Sequence, residues 1–184
     1  MPRRATAVVT ELHDLLSTAK VPGPYLLVGH TIGGQFSVLY ARTYPDQVAG
    51  MVLVDATPPT IASLLPPRSR TLLEASLKAP SSIPGYSYES YDLDEIVNAI
   101  AAAPALASVP TSLLFAGRFQ QVSGSDAEQF VKDVAAVQDQ ARSEFAASIP
   151  GATTSVVADA THYVHVERPD TVIAAVRTVA ARIP

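Results

Sequence analysis

Five residues, Gly29-His30-Thr31-Ile32-Gly33, set one hydroxyl between two glycines in the pattern Gly-x-hydroxyl-x-Gly. This is the pattern of a nucleophile elbow, a sharp strand-to-helix turn that lifts one side chain above a parallel sheet. Glycine on both sides suits a turn that packs backbone against backbone. A hydroxyl held this way attacks a carbonyl carbon once a base takes its proton. Serine is the usual occupant, and threonine stands here instead. The elbow asks its central residue for positive φ, which for a β-branched side chain carries a strain of about 1–3 kcal/mol. The residues leave two readings of Thr31 open. It is a working nucleophile, or it marks a degraded site and caps the helix that follows.

The base for such a reaction is a histidine, because imidazole titrates near neutrality and both accepts and returns a proton. Four are present, and His162 is the candidate. His165 reads as structural or surface, His30 as lining the pocket floor, and His13 as solvated on the polar face of its helix. Their spacing does not suggest a metal site. Tyr86, Tyr88 and Tyr91 form an aromatic cluster that can wall an apolar acyl or alcohol pocket, or simply pack a lid.

The elements that must position these groups are legible from apolar spacing. Val8, Leu12, Leu15, Leu16 and Ala19 predict an amphipathic helix over 5–19, which Pro22-Gly23-Pro24 ends. A buried strand at 25–29 runs into the elbow, and a helix over about 32–44 leaves it. A second strand, Gly50-Met51-Val52-Leu53-Val54, ends at Asp55. Residues 56–109 change character, with Pro58-Pro59, Pro66-Pro67, Pro80 and Pro84-Gly85, and read as a cap with one or two short helices, the clearest at about 93–103. The alternation then resumes. Ser112–Ala116 is a third strand, and Phe130, Val134, Val137 and Ala141 mark a long helix. Thr154–Ala158 is a fourth strand, with a closing helix over about 169–182. Strands apolar on both faces that alternate with helices predict an α/β fold around a parallel sheet covered on both sides. The expected division is a core of 1–55 and 110–184 with a cap of 56–109.

Composition bounds the partners. The chain has 184 residues, 48% hydrophobic and 16% charged, enough for one globular, soluble domain. A net charge of −4 argues against nucleic acid and acidic membrane surfaces. With no cysteine, disulfides and thiol chemistry are excluded. No apolar run has the length of a membrane span, and Met1-Pro2-Arg3-Arg4 leads into the first helix without a leader-like pattern, so a cytoplasmic location is expected.

Four segments together resemble the α/β-hydrolase superfamily. They are Tyr25-Leu26-Leu27-Val28-Gly29-His30-Thr31-Ile32-Gly33-Gly34, Val48–Asp55, Val109–Gly117, and Thr161-His162-Tyr163-Val164-His165-Val166-Glu167-Arg168-Pro169. The resemblance covers nearly all of the chain outside the cap. It implies that His162, on the loop after the last strand, is the base. It implies an orienting acid in one of two places. Asp55, at the end of the strand after the elbow helix, is favoured over Asp126, because Gly117-Arg118-Phe119-Gln120-Gln121 holds no carboxylate where many members carry theirs. It implies that the backbone N–H of Ile32 supplies one donor to an oxyanion hole. No cofactor is implied. The expected reaction is hydrolysis of small, apolar carboxylic esters or lactones.

Members of that superfamily usually open with four more strands and a His-Gly loop, so the chain is expected to supply only the carboxy-terminal part, about four strands. The strand at 25–29 would then have an unpaired edge, through which the chain would form a homodimer or take up a complementing chain. Thr31 and the absent loop favour an alternative, a catalytically inactive member or fragment that binds a small ligand or a partner. A third reading keeps the scaffold and changes the chemistry, to cofactor-free haloperoxidase-like or C–C bond hydrolysis.

Overall fold

The computed structural model describes residues 2–78 and 89–183, and within them four strands lie parallel in the order β1-β2-β3-β4. The chain runs α1 (Ala5–Thr18), β1 (Tyr25–His30), α2 (Ile32–Thr43) and β2 (Val48–Val54). Three helices follow, α3 (Ile61–Leu64), α4 (Pro67–Lys78) and α5 (Leu93–Ala102). Strand β3 (Thr111–Ala116), helix α6 (Ser125–Ala147), strand β4 (Ala152–Val157), and helices α7 (Val164–Glu167) and α8 (Pro169–Ala180) complete it. Each parallel step needs a crossover, and the helices between strands supply it.

Burial on both faces holds only for the middle of the sheet. Residues of β3 are buried throughout, and β2 nearly so, which matches their unbroken apolar runs. The outer strands differ. Val28 of β1 is 52% exposed and Val156 of β4 is 63% exposed. Strand β1 pairs with β2 alone and β4 with β3 alone among the described residues. One main core joins Val9 of α1, Leu39 and Tyr40 of α2, Met51 and Leu53 of β2, and Ile96 of α5. On the other face, Val52, Val54 and Leu114 pack with Val164 and Val179.

Two expectations from spacing are corrected. Leu15 of α1 is 63% exposed and Leu12 is exposed too, while Ala5 and Val9 are buried and Leu16 packs beside them. The helix is rotated from the expected stripe, and His13 therefore faces inward enough to stack on Tyr44 with ring centroids 4.2 Å apart. Its Nδ1 lies 3.1 Å from the Gln47 side-chain oxygen. Between β2 and β3 the described residues form three helices rather than the expected one or two. Helix α3 and α4 pack on α6 through Ile61, Leu65, Leu73 and Phe130, while α5 adds Ile96 and Ile100 to the main core. Among the described residues no helix is long and apolar enough to cross a membrane.

Candidate active site

Strand β1 delivers its last residue, His30, straight into the turn that begins α2 at Ile32. Thr31 stands between them at φ 50° and ψ −121°, the positive-φ conformation an elbow asks for. Its side chain makes no capping hydrogen bond to α2, so helix capping does not account for it. The Thr31 main-chain amide donates to the Val54 carbonyl at 3.2 Å, and its own carbonyl accepts from Gly34 at 3.1 Å and Thr57 at 3.3 Å. These contacts hold the residue in a sparsely populated conformation.

The steric need for glycine falls on different positions from those expected. A Cβ on Gly29 would lie 2.5 Å from the Gly33 carbonyl oxygen, so that position is closed. A Cβ on Gly33 would meet nothing within 4 Å. It is Gly34 that is closed on the other side, where a Cβ would come within 2.3 Å of the Ala56 Cβ. The elbow helix thus presses on the segment after β2 through Gly34, not through Gly33.

Asp55 directly follows β2 with φ at 40°, like Thr31 a non-glycine residue at positive φ. Its carboxylate is 15% exposed and points at three donors. Oδ2 accepts from His162 Nδ1 at 2.8 Å. Oδ1 accepts from the Ala116 main-chain amide at 2.9 Å and lies 3.4 Å from Arg142 Nη2. Burial alone would raise its pKa, but the His162 ring, the Ala116 amide and the Arg142 charge together hold it below the ordinary 3.8. Asp55 is therefore an anion at neutral pH. Its bond fixes the proton of His162 on Nδ1 and leaves Nε2 as an acceptor.

The loop bearing His162 is fastened at two further points. His30 donates from Nε2 to the His162 carbonyl at 2.8 Å, and Glu167 of α7 accepts from the Thr161 amide at 2.9 Å. The His30 ring also lies between His162 and His165, at centroid distances of 4.5 Å and 4.4 Å. Burial foremost, then the neighbouring imidazoles, pulls the His30 pKa below the ordinary 6.5, although its bond to the His162 carbonyl works the other way.

Thr31, Asp55 and His162 all line a cleft of about 580 Å³. Its walls include Ile61, Leu73, Phe130 and Val134, with Tyr163, Phe119 and Arg142. The Thr31 hydroxyl is paired with the Thr57 hydroxyl at 3.3 Å, and among the described residues no hydrogen bond joins it to His162. Thr57 is itself held by the wholly buried Gln35, whose amide donates to the Thr57 carbonyl at 2.7 Å. A more open depression of about 650 Å³, bordered by Arg4, Leu39, Asp92 and Glu95, contains none of Thr31, Asp55 and His162.

The other residues singled out by sequence lie elsewhere. Asp126, at the start of α6, is 59% exposed and pairs with Arg68 at 2.5 Å. Tyr91 packs on Phe36 at 5.2 Å and donates its hydroxyl to Glu89 at 2.7 Å, and neither it nor His30 is among the cleft-lining residues. Tyr86 and Tyr88 fall outside the described residues. Arg142, Thr57, Gln35 and the Ala116 amide had no signal in the sequence. They reach the site from helix interiors, a strand end and the loop after β2, and the contacts of Arg142 with Phe115 and Ala116 of β3 hold it there. Among the described residues no group of three or more histidine, aspartate or glutamate side chains could hold a metal ion.

The sequence pattern of the Alpha/beta hydrolase family matches residues 2–175. Among curated proteins, an uncharacterized protein of Schizosaccharomyces pombe is 42% identical over 55 residues, 30% of this chain. That stretch is 10% of the yeast protein's length. Among solved structures, the chain is similar to a probable hydrolytic enzyme of Pseudomonas aeruginosa, with TM-score 0.59, 18% identity, and coverage of 97% of this chain and 70% of that one. It is similar to a thermophilic esterase of Thermogutta terrifontis, with TM-score 0.57, 21% identity, and coverage of 100% and 75%. A monoacylglycerol lipase of Paleococcus ferrophilus gives TM-score 0.56 at 12% identity, covering 98% of this chain and 76% of that one. At these identities the structural likeness shows a shared fold.

Proposed function

We propose, on the premise that this chain belongs to the alpha/beta hydrolase family, that it hydrolyses small carboxylic esters or lactones by acyl transfer through Thr31, His162 and Asp55. The observation that carries this reading is the 2.8 Å bond from His162 Nδ1 to Asp55 Oδ2, in a cleft that Thr31 also lines.

The steps follow from the donors and acceptors. The Thr31 hydroxyl turns from Thr57 towards His162, and His162 Nε2 takes its proton as Oγ1 attacks the ester carbonyl. The Ile32 amide, at the start of α2, faces the oxygen on which charge develops. The imidazolium, steadied by Asp55, then gives its proton to the leaving alcohol. A water molecule, deprotonated in turn by His162, attacks the acyl-threonine; the acyl–Oγ1 bond breaks, His162 returns the proton to Thr31 Oγ1, and the acid leaves. Asp55 remains ionised throughout; its work is to orient the ring and to stabilise its charged form. The apolar cleft wall suits an acyl chain. Within the proposed cap of 56–109, α3 and α4 bring Ile61 and Leu73 to the wall of this site.

One observation favours a second reading, a family member that binds a small ligand without turning it over. The Thr31 hydroxyl rests against Thr57 and not against its base. The two readings separate by kinetics. Purified protein is assayed on a short-chain p-nitrophenyl ester beside Thr31→Ser and His162→Ala. The hydrolytic reading expects turnover that His162→Ala abolishes and Thr31→Ser raises by roughly tenfold, since a strain relief near 1.4 kcal/mol in the transition state is tenfold in rate. Folded protein with no turnover in any of the three leaves the binding reading.

A further inference from the structure

Arg142 carries a feature that the hydrolytic reading leaves unused. It projects from within α6, with its side chain 17% exposed, and its guanidinium lies 5.0 Å from the centroid of the Phe115 ring. Nη2 donates to the Ala116 carbonyl at 2.9 Å and lies 3.4 Å from Asp55 Oδ1. A guanidinium has five N–H donors in a fixed planar fork, and Nη2 accounts for two. Neither Nε nor Nη1 has a hydrogen-bond partner among the described residues. Neither is among the buried unpartnered atoms of the described residues either. The open space that Arg142 borders is the cleft of Thr31, Asp55 and His162.

The charge balance of that cleft runs against the charge of the chain. Its described lining holds two guanidiniums, Arg118 and Arg142, and one carboxylate, Asp55, in a protein of net charge −4. The cleft wall that Arg142 shares mixes apolar side chains, Ile61, Phe130 and Val134, with the neutral amides of Gln120 and Gln138. A carboxylate is the substrate group that accepts most strongly from an idle guanidinium N–H, through a charge-assisted hydrogen bond. Asp55 and the Ala116 carbonyl take up Nη2, which leaves Nη1, at the other end of the guanidinium, to offer a charge-assisted N–H to a second anion.

We propose that Arg142 binds a carboxylate carried by the substrate, so that the cleft takes esters whose acyl chain ends in a carboxylate, the half-esters of short dicarboxylic acids. The proposal rests on the hydrolytic reading for its turnover, and on the geometry of Arg142 for its specificity. The substrate carboxylate sits on Arg142 while the scissile carbonyl lies at Thr31. Arg142 and Thr31 line the same cleft, which thereby receives both ends of such a substrate. Arg118, on the loop after β3, adds attraction at longer range.

The test compares mono-p-nitrophenyl glutarate with p-nitrophenyl valerate, a neutral ester of similar length, in the wild type, Arg142→Gln, Arg142→Lys and Arg118→Gln. The expected result is a kcat/KM ratio of about tenfold or more in favour of the carboxylated ester, the size of one charge-assisted contact. Arg142→Gln should bring that ratio to about one through KM, Arg142→Lys should keep part of it, and Arg118→Gln should change it by less than about threefold. Any general damage to Asp55 lowers both rates and leaves the ratio intact. A ratio near one in the wild type, or one that follows Arg118 and ignores Arg142, overturns the proposal, while turnover of the neutral ester would still uphold the hydrolytic reading. If neither ester turns over, the hydrolytic reading fails by itself and glutarate binding decides the site. Titration followed by NMR should then shift the Arg142 Nε–H resonance saturably and lose that binding in folded Arg142→Gln, and absence of saturable binding overturns the proposal.

Discussion

His30 donates its Nε2–H to the main-chain carbonyl of His162 across 2.8 Å, joining residues 132 apart in sequence. The elbow and the loop that carries the proposed base are thereby one unit. An imidazole can serve as a general base only if its position is fixed to within a fraction of an ångström of the hydroxyl it serves. The bond also explains why a histidine precedes Thr31, where a strand-end side chain needs no polar group for packing.

His30→Ala should therefore lower kcat by roughly tenfold or more, since misplacement costs rate steeply. His30→Gln, which keeps a donor at similar reach, should recover much of the loss. Hydrogen exchange at the amides of residues 158–163 should quicken in the alanine variant and not in the glutamine variant. Equal kinetics in both variants would sink this role for the ring.

The elbow glycines should separate sharply in stability. Gly34→Ala drives a methyl to 2.3 Å from the Ala56 Cβ and must displace the segment after β2. Overpacking of this kind costs about 1–3 kcal/mol, which for a chain of this size lowers Tm by roughly 2–4 °C per kcal/mol. Gly33→Ala meets open space inside a helix and should be neutral or gain up to about 1 kcal/mol. Thermal unfolding of the two variants checks the pair, and similar losses in both would contradict the packing described.

How much of this could be read from the sequence depends on which force set each feature. The strands β2 and β3 were legible because burial on both faces demands an unbroken apolar run, and Met51–Val54 and Leu113–Ala116 provide one. The face of α1 was misread because Leu12 and Leu15 were assumed to be buried. They are exposed, and nothing in the spacing distinguishes them from Val9. Thr31 and Asp55 were legible as reactive types at the ends of strands, and their positive φ is a property of those same turns. Arg142 was not legible, because a lone arginine within a polar helical stretch looks like a solvated side chain. Its position depends on how α6 lies across the end of β3, which no local pattern encodes. Gly33 was given a steric role that belongs to Gly34, because a pattern of two glycines says nothing about what faces each.

The acid of the site can be assigned by substitution. Asp55→Asn preserves the shape but removes the charge that fixes the His162 proton on Nδ1, and a comparable change in a well-studied triad lowers kcat by about 10⁴. A fall of about 10²–10⁴ is expected here, the range reflecting what Arg142 does when its anion is removed. Asp126→Asn loses a surface pair with Arg68, worth about 0–1 kcal/mol of stability, and should leave activity within about twofold. The reverse ranking in ester turnover would transfer the role to Asp126.

Stability against acid should be lost in two stages, each with its own residue. His30 is held neutral by burial, with a pKa below the ordinary 6.5, while its unfolded form titrates near that value. From about pH 6.5 downwards the unfolded chain therefore binds a proton that the folded chain does not, and stability falls until the pH passes the lowered folded value. His162, His165 and Tyr163 pack against this ring, with Asp55 nearby, so a proton gained here meets two other imidazoles as well as one carboxylate. Asp55 gives the second stage. Its folded pKa lies below the ordinary 3.8, so its contribution is complete above that value and is lost as the pH falls through the folded one. The surface carboxylates of Asp159, beside Arg168, and Glu167, beside Thr161, are also held down and add to this lower stage. Urea unfolding measured from pH 8 to pH 3 should show a decline in midpoint that begins near 6.5 and a steeper one below about 4. In His30→Gln the first decline should disappear while the second remains. A midpoint that stays level from pH 7 to pH 5 in the unmodified protein would rule out a His30 held neutral by the fold.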